Sequence, residues 1–145
     1  MAMITITMNN AMQHAHRRIV DVLNHEFGKN YQSFSRGACN LGNNMVVWFP
    51  TILGGNNIFK GWENVLSNGG RKITSRYVGN DPHEQKAQHV RNLGKIHIAF
   101  ARDKVSGDRY FIGVFESMNC NGSRIYNRIG TRITINTVTG SVIYK

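Results

Sequence analysis

Two apolar runs separated by a polar turn make up residues 95–116, KIHIAFARDKVSGDRYFIGVFE. The first run alternates Ile96, Ile98 and Phe100 with smaller or more polar residues, which is typical of a strand with one buried face. The second run, RYFIGVFE, is apolar on both faces, as in a central strand, and the intervening DKVSGD has turn chemistry. This segment therefore predicts a core hairpin with His97 on its polar face.

The N-terminal part of the chain predicts one long helix. Residues 11–27 carry an apolar stripe at three- and four-residue spacings, and Gly28 follows as a stop signal. Further along, residues 45–50 and 71–78 have the composition of short strands, whereas GWENVL, between them, predicts one helical turn. Helix, strands and turns therefore alternate irregularly.

A second helix is predicted to start at Pro82. Asp81 can cap it, proline suits its first position, and Glu84 can return the capping contact. The helix would run to about Leu93 before Gly94 ends it.

These patterns predict one α+β domain over residues 1–145. It would comprise an N-terminal helical segment at 1–30 and a strand-rich core at 44–145, with a short helical crossover between strands. One long N-terminal helix would pack on a curved mixed or antiparallel sheet or a small β-barrel, because closing a sheet protects its edges.

The charge of the chain constrains its partner. Eighteen Lys and Arg against eight Asp and Glu give a net charge of +10, which favours a polyanionic partner. We expect nucleic acid, DNA in preference to RNA, or a nucleotide. No stretch has the roughly 20 apolar residues of a membrane span, and the first residues lack a secretory signal, so a cytoplasmic location is expected.

Basic and aromatic residues lie close together in two segments, around residues 59–77 and 124–132. Aromatic rings can stack on bases, and cationic groups can bind phosphates. An extruded base also needs a carboxylate that accepts from its exocyclic amine, and Asp81 and Glu63 are the nearby acids. The phosphate-binding candidates are Lys60, Arg71, Lys72, Arg76, Arg124, Arg128 and Arg132; the base-pocket candidates are Phe59, Trp62, Tyr77 and Asp81. Trp48, within VVWFP, is interpreted as core.

No catalytic residue, metal site or cofactor is predicted. Cys39 and Cys120 lack zinc-binding spacing, and on a helix His14 and His16 would point in different directions. Glu84-Gln85-Lys86 matches the E-x-K piece of restriction-type nucleases, but that chemistry requires a strand, and Pro82 predicts a helix here.

The late strands, RYFIGVFE followed by RIYNRI, resemble those of PUA-like domains, in the branch of SRA-type modified-base readers from restriction systems. RYVGND, residues 76–81, is similar to the Tyr-x-Gly loop of that family, with Val where Thr is usual. The resemblance, over about residues 45–130, implies a barrel-like sheet with a concave base pocket. It implies that Trp62 and Tyr77 stack on a base and that Asp81 reads its edge.

The leading hypothesis is therefore a nucleic-acid-binding PUA-like domain that reads a modified or flipped base. An alternative is a small anti-defence protein of a phage or mobile element, which binds a host defence protein or sequesters a nucleotide. A second alternative is a Mg²⁺-dependent nuclease, supported only by the E-x-K match.

Overall fold

The computed structural model describes residues 2–53, 58–120 and 122–145, without the side chains of Leu53, Ile58, Phe59 and His89. The strands within these residues are β1 (Met3–Thr7), β2 (Ala38–Gly42), β3 (Met45–Trp48), β4 (Thr51–Leu53), β5 (Ile58–Phe59), β6 (Trp62–Ser67), β7 (Lys72–Tyr77), β8 (Ile96–Asp103), β9 (Arg109–Cys120), β10 (Ser123–Gly130), β11 (Arg132–Asn136) and β12 (Val142–Tyr144). The α-helices are α1 (Ile19–Phe27) and α2 (Pro82–Val90), and 3-10 helices occur at Ala11–His14 and Asn68–Gly70.

The strands form two sheets. The large sheet has the order β2-β3-β8-β9-β10-β7-β6-β5, with β4 also beside β8. Strands β3 and β4 run parallel to β8, and the other pairs are antiparallel. The small sheet has the order β1-β11-β12. The α+β class is confirmed.

The large sheet is open, so the barrel expectation is wrong for the described residues. Strands β2 and β5 lie at opposite ends of the strand order and do not pair with each other. One face of the sheet is instead covered by α1 and the small sheet. Leu23 and Phe27 of α1, Ile133 of the small sheet, and Ile98 and Phe111 of the large sheet share this core. Helix α1 and the small sheet therefore form a second layer, and this layer buries the apolar face of the open sheet.

The N-terminal helix is shorter than predicted, because the chain is extended between His14 and Ile19. His14 Nδ1 and His16 Nε2 donate to the two carboxylate oxygens of the buried Glu26, at 2.8 and 2.5 Å. Side chains two residues apart point to the same side in extended backbone but not in a helix. The two contacts to one carboxylate therefore favour a break in the helix, and Met12 of the predicted stripe is left 62% exposed. Gly28 ends α1 as predicted, with φ of 68°.

The segment GWENVL forms strand β6, not a helical turn. Trp62, Asn64 and Leu66 alternate with Glu63 and Val65, and β6 pairs with β7 along its whole length. Partners distant in sequence therefore decided the local structure.

Helix α2 starts where the sequence predicts. Asp81 accepts a hydrogen bond from the His83 amide at 2.9 Å, and Pro82 occupies the first turn. The helix ends at Val90, three residues earlier than predicted. Glu84 does not return a capping contact but binds the side chains of Trp62 and Arg91. Within the described residues, no helix is long and apolar enough to cross a bilayer.

Candidate functional site: an aromatic cavity beneath helix α2

A cavity of about 840 Å³ lies mainly on the face of the large sheet that does not pack against the body of α1, and Ile19 at the start of α1 and Arg109 of β9 reach its edge. Residues of β3, β6, β7, β8 and β10 line it, together with α2 and the segment at residues 35–38. We call it the central cavity. Its volume lies in the range of about 300–1,000 Å³ that small-molecule sites usually occupy.

Three rings pack together in the wall of the central cavity. Trp48 of β3 and Tyr126 of β10 stack with ring centroids 4.2 Å apart and an interplanar angle of 25°. His97 of β8 meets both rings edge-on, with centroids 5.6 and 4.9 Å away. The expectation that His97 lies on a polar, half-buried face is wrong, because these rings cover it and leave it 2% exposed.

Burial determines the charge of His97. Desolvation lowers its pKa to about 4, and the nearby Arg124 and Lys95 charges act in the same direction. Its Nδ1 lies 2.9 Å from the carbonyl oxygen of Lys95, which can only accept, so Nδ1 carries the proton. At neutral pH His97 is therefore an uncharged ring whose Nε2 is an acceptor. Burial also raises the pKa of Tyr126.

A row of buried polar side chains crosses the floor of the central cavity. Asn64, Ser75 and Arg124 are in register on β6, β7 and β10, and all three line the cavity. Asn64 and Arg124 are each 5% exposed. Asn64 Oδ1 and the Nε and Nη2 atoms of Arg124 are buried without a hydrogen-bond partner. An unpaired buried polar atom costs about 1–3 kcal/mol, so a ligand that pairs with these atoms would recover that cost.

Helix α2 forms one wall and is tied to the sheet by side-chain contacts. Trp62 Nε1 donates to Glu84 Oε2 at 3.0 Å, and Arg91 donates to the same carboxylate. Arg124 Nη1 donates to the Arg91 carbonyl, and Gln88 accepts from the Tyr77 amide at 2.7 Å. The wall is therefore connected directly to the polar floor.

Of the base-pocket candidates, Trp62 lines the central cavity. Tyr77 packs against Trp62, with centroids 5.3 Å apart and planes inclined by 56°, but does not line the cavity. The Tyr77 hydroxyl accepts from the Asp81 amide at 2.9 Å, while Asp81 is exposed and caps α2. The side chain of Phe59 lies outside the described residues.

The phosphate-binding candidates fall in separate places. Arg71, Lys72 and Arg128 come together at the far end of β7 from Trp62, where Arg128 N donates to the Arg71 carbonyl. Arg76 binds Glu63 at 3.2 Å, Lys60 lines the central cavity, and Arg132 belongs to the small sheet. Arg124 is buried in the cavity floor, so its side chain does not lie on the outer surface.

Sequence reasoning missed Trp48, His97 and Asn64. Trp48 is half-buried and packs against the core on this face of the sheet, in line with its interpretation as a core residue, but it also lines the cavity. For Asn64 a signal existed: once WENVLS is read as a strand, a polar residue falls between Trp62 and Leu66 on the inward face. For His97 the covering rings come from distant parts of the chain, and local pattern does not report them.

Comparisons with known proteins agree with this fold. The family model described as SET and RING associated domain (SRA) matches residues 5–135. No curated protein sequence matches the chain significantly. A solved structure described as "The 5-Hydroxymethylcytosine-Specific Restriction Enzyme AbaSI" is similar, with a TM-score of 0.70 and 22% sequence identity. The alignment covers 91% of this chain and 43% of that chain, so this chain spans less than half of that enzyme. At this identity the likeness shows the fold.

Proposed function

Because the chain belongs to the family of SET and RING associated domains, we propose that it binds DNA and reads a modified base extruded into the central cavity. The observation that carries the proposal is the set of unpaired polar atoms, Asn64 Oδ1 with Arg124 Nε and Nη2, buried beside aromatic rings. Proteins that read an extruded base need both features, a stacking surface and polar groups that match its edge.

The stacking surface is the outer face of the Trp48–Tyr126 pair. Their centroids are 4.2 Å apart, whereas a base between two rings needs about 7 Å, twice the usual contact distance. The base therefore stacks on the pair rather than between its members. Trp62, in the wall of the same cavity, is a second ring within the site.

The polar atoms match cytosine. Its pairing edge offers one amine donor followed by two acceptors, the ring nitrogen and the carbonyl oxygen. Asn64 Oδ1 accepts from the amine, and the two N–H groups of Arg124 donate to the acceptors. Thymine, which offers two acceptors around one donor, would place its ring N–H opposite an N–H of Arg124, and two donors would face each other whichever way the Asn64 amide is turned.

The modification that we propose is a hydroxymethyl group at position 5 of the cytosine. The similar structure is described as a 5-hydroxymethylcytosine-specific restriction enzyme. In this chain the neutral His97 offers Nε2 as an acceptor for a hydroxyl group, because its Nδ1 proton is held by the Lys95 carbonyl. The proposal covers base reading alone and not cleavage.

Basic residues outside the cavity supply contacts to the DNA backbone. Arg71, Lys72, Arg76, Arg128 and Arg132 are exposed or half-buried, and Lys60 lies at the cavity. Each neutralised phosphate lowers the affinity further as salt is added. We therefore expect a steep salt dependence, and an affinity that is the same at 50 and 200 mM salt would contradict this part of the proposal.

The test compares three duplexes that differ only in one cytosine: unmodified, 5-methylated or 5-hydroxymethylated. Fluorescence anisotropy at physiological salt should show binding of the hydroxymethylated duplex at least about tenfold tighter than the unmodified one. Trp48→Ala should weaken binding of that duplex about tenfold through lost stacking, and Tyr144→Ala, an exposed aromatic on β12, is the matched control. Equal affinity for all three duplexes would overturn the proposal.

A further inference from the structure

A second groove, of about 600 Å³, adjoins the central cavity. Arg17, Arg18, Arg102 and Arg109 line it, and we call it the arginine groove. Ile19, Ser35 and Arg109 line both the groove and the cavity, so the two share a wall. None of its four arginines belongs to the phosphate-binding set that the sequence predicts.

Two of these arginines face each other. Arg102 and Arg109 are directly opposite on the antiparallel strands β8 and β9. Like charges in such a position destabilise a sheet. Burial and the charge of Arg102 both lower the pKa of Arg109, and Arg109 Nε is buried without a hydrogen-bond partner. An anion between the two guanidinium groups would remove the repulsion and pair the buried N–H.

Two acids near the groove, Asp21 and Asp108, are engaged with its other two arginines. Asp21 accepts from Arg18 at 2.9 and 3.0 Å, and Asp108 lies 3.9 Å from Arg17. Among the described residues that line the groove, none is acidic. The described lining of the groove therefore carries four arginines and no carboxylate.

The start of α1 adds to this field. Ile19 and Val20, its first residues, line the groove, and no side chain caps the helix. The amide groups at a helix start carry partial positive charge and favour an anion such as phosphate. Helix start and guanidinium pair thus meet in one groove.

We propose that the arginine groove binds a phosphate group of the DNA backbone next to the base in the central cavity. This inference rests on the proposed function, because the shared wall is what places a backbone phosphate in the groove. Arg102 and Arg109 hold the phosphate oxygens, and the start of α1 faces the same group. Arg109 Nη1 also donates to the Arg17 carbonyl, so Arg109 is fixed in place before DNA arrives.

The experiment uses duplexes with one hydroxymethylated cytosine in which a single phosphate near that base is replaced by an uncharged methylphosphonate. Binding to the wild-type protein is expected to weaken about tenfold at one such position. Arg102→Gln should weaken binding of the unsubstituted duplex by a similar factor. Placing the methylphosphonate at that one position should then weaken binding to Arg102→Gln little further. Lys145→Gln, which removes an exposed charge from the small sheet, should respond to the methylphosphonate as the wild type does.

Arg102→Gln also has a readout without DNA. Inorganic phosphate should raise the thermal midpoint of the wild type by more than that of Arg102→Gln. If the affinity losses from Arg102→Gln and from the methylphosphonate add at every phosphate position, the inference is overturned. It is also overturned if inorganic phosphate stabilises the protein but the two changes show no coupling in DNA binding. If instead the proposed function fails, the wild-type protein will bind hydroxymethylated and unmodified duplexes equally, while Arg102 and one phosphate remain coupled.

Discussion

The loop at residues 77–81 and the central cavity lie beside the same helix and contain similar residue types, but their polar groups are used differently. In the loop, the Tyr77 hydroxyl accepts from the Asp81 amide, and the Asp81 carboxylate accepts from the His83 amide. In the cavity, Asn64 Oδ1 and two Arg124 nitrogens are buried without partners. The loop residues serve the backbone around them, whereas the cavity retains binding capacity that a ligand can use.

The largest effect that we expect from this difference concerns His97 and pH. Its pKa is lowered from 6.5 to about 4 in the folded protein, so the unfolded chain binds the proton more tightly. The free energy of unfolding therefore has its full value above pH 6.5. It falls by on the order of 3 kcal/mol as the pH is lowered from 6.5 toward 4. Urea unfolding between pH 7 and 4 should show this loss in the wild type and a smaller one in His97→Gln.

The same substitution at the exposed His83 controls for the removal of an imidazole. Parallel stability curves for the wild type and His97→Gln would contradict the assignment of a buried, neutral His97 to the cavity.

The next effect is on DNA binding and distinguishes the cavity from the loop most clearly. Asn64→Leu removes the unpaired oxygen and should lower affinity for hydroxymethylated DNA by about 10- to 100-fold, since one base-reading contact is lost. The free energy of unfolding should stay the same or rise, because the removed oxygen has no intramolecular hydrogen-bond partner. Anisotropy titrations and urea unfolding of the same variant check the affinity and the stability. An unchanged affinity would show that Asn64 does not contact the base.

The loop should give the opposite result. Asp81→Ala removes the cap of α2 and should cost about 1 kcal/mol of stability. The ratio of affinities for hydroxymethylated and unmodified DNA should not change, because the carboxylate is exposed and engaged with the backbone. Loss of this ratio in Asp81→Ala would instead support the sequence-based prediction that Asp81 reads the base edge.

The smallest effect is expected at Glu84, which joins helix and cavity. Glu84→Gln keeps an acceptor for Trp62 Nε1 and weakens only a partly exposed pair with Arg91. We expect changes below about 0.5 kcal/mol in stability and about twofold in affinity, measured by the same two methods. A large loss of Mg²⁺-dependent DNA cleavage in this variant would instead favour the nuclease alternative.

The sequence predicted those elements whose signals are local. The β8–β9 hairpin, the start of α2 at Asp81-Pro82 and the end of α1 at Gly28 all depend on neighbouring residues. The break in the N-terminal helix could not be predicted in this way, because it depends on Glu26, ten or more residues from His16 and His14. Trp48 and His97 form a site only through Tyr126, which is far along the chain.

The family resemblance supplied the modified-base reader, which the comparisons support. Its base-pocket residues stay a prediction: Trp62 lines the central cavity, and Tyr77 packs against Trp62. A Cβ at Gly79 would collide with the Tyr77 ring, so glycine here allows the loop to close over that ring. The anti-defence alternative stays a prediction, and a co-purifying host protein would be its evidence.

The central claim is that a target base leaves the duplex and lies against Trp48, and fluorine NMR tests it directly. The protein is labelled with 5-fluorotryptophan, which enters only at Trp48 and Trp62, and is saturated with the hydroxymethylated duplex, with binding verified by anisotropy. We predict that the Trp48 resonance, assigned by its absence in Trp48→Ala, shifts when this duplex binds and shifts equally in Asp81→Ala. A Trp48 resonance that stays at its free-protein position while the protein is fully bound would contradict the claim.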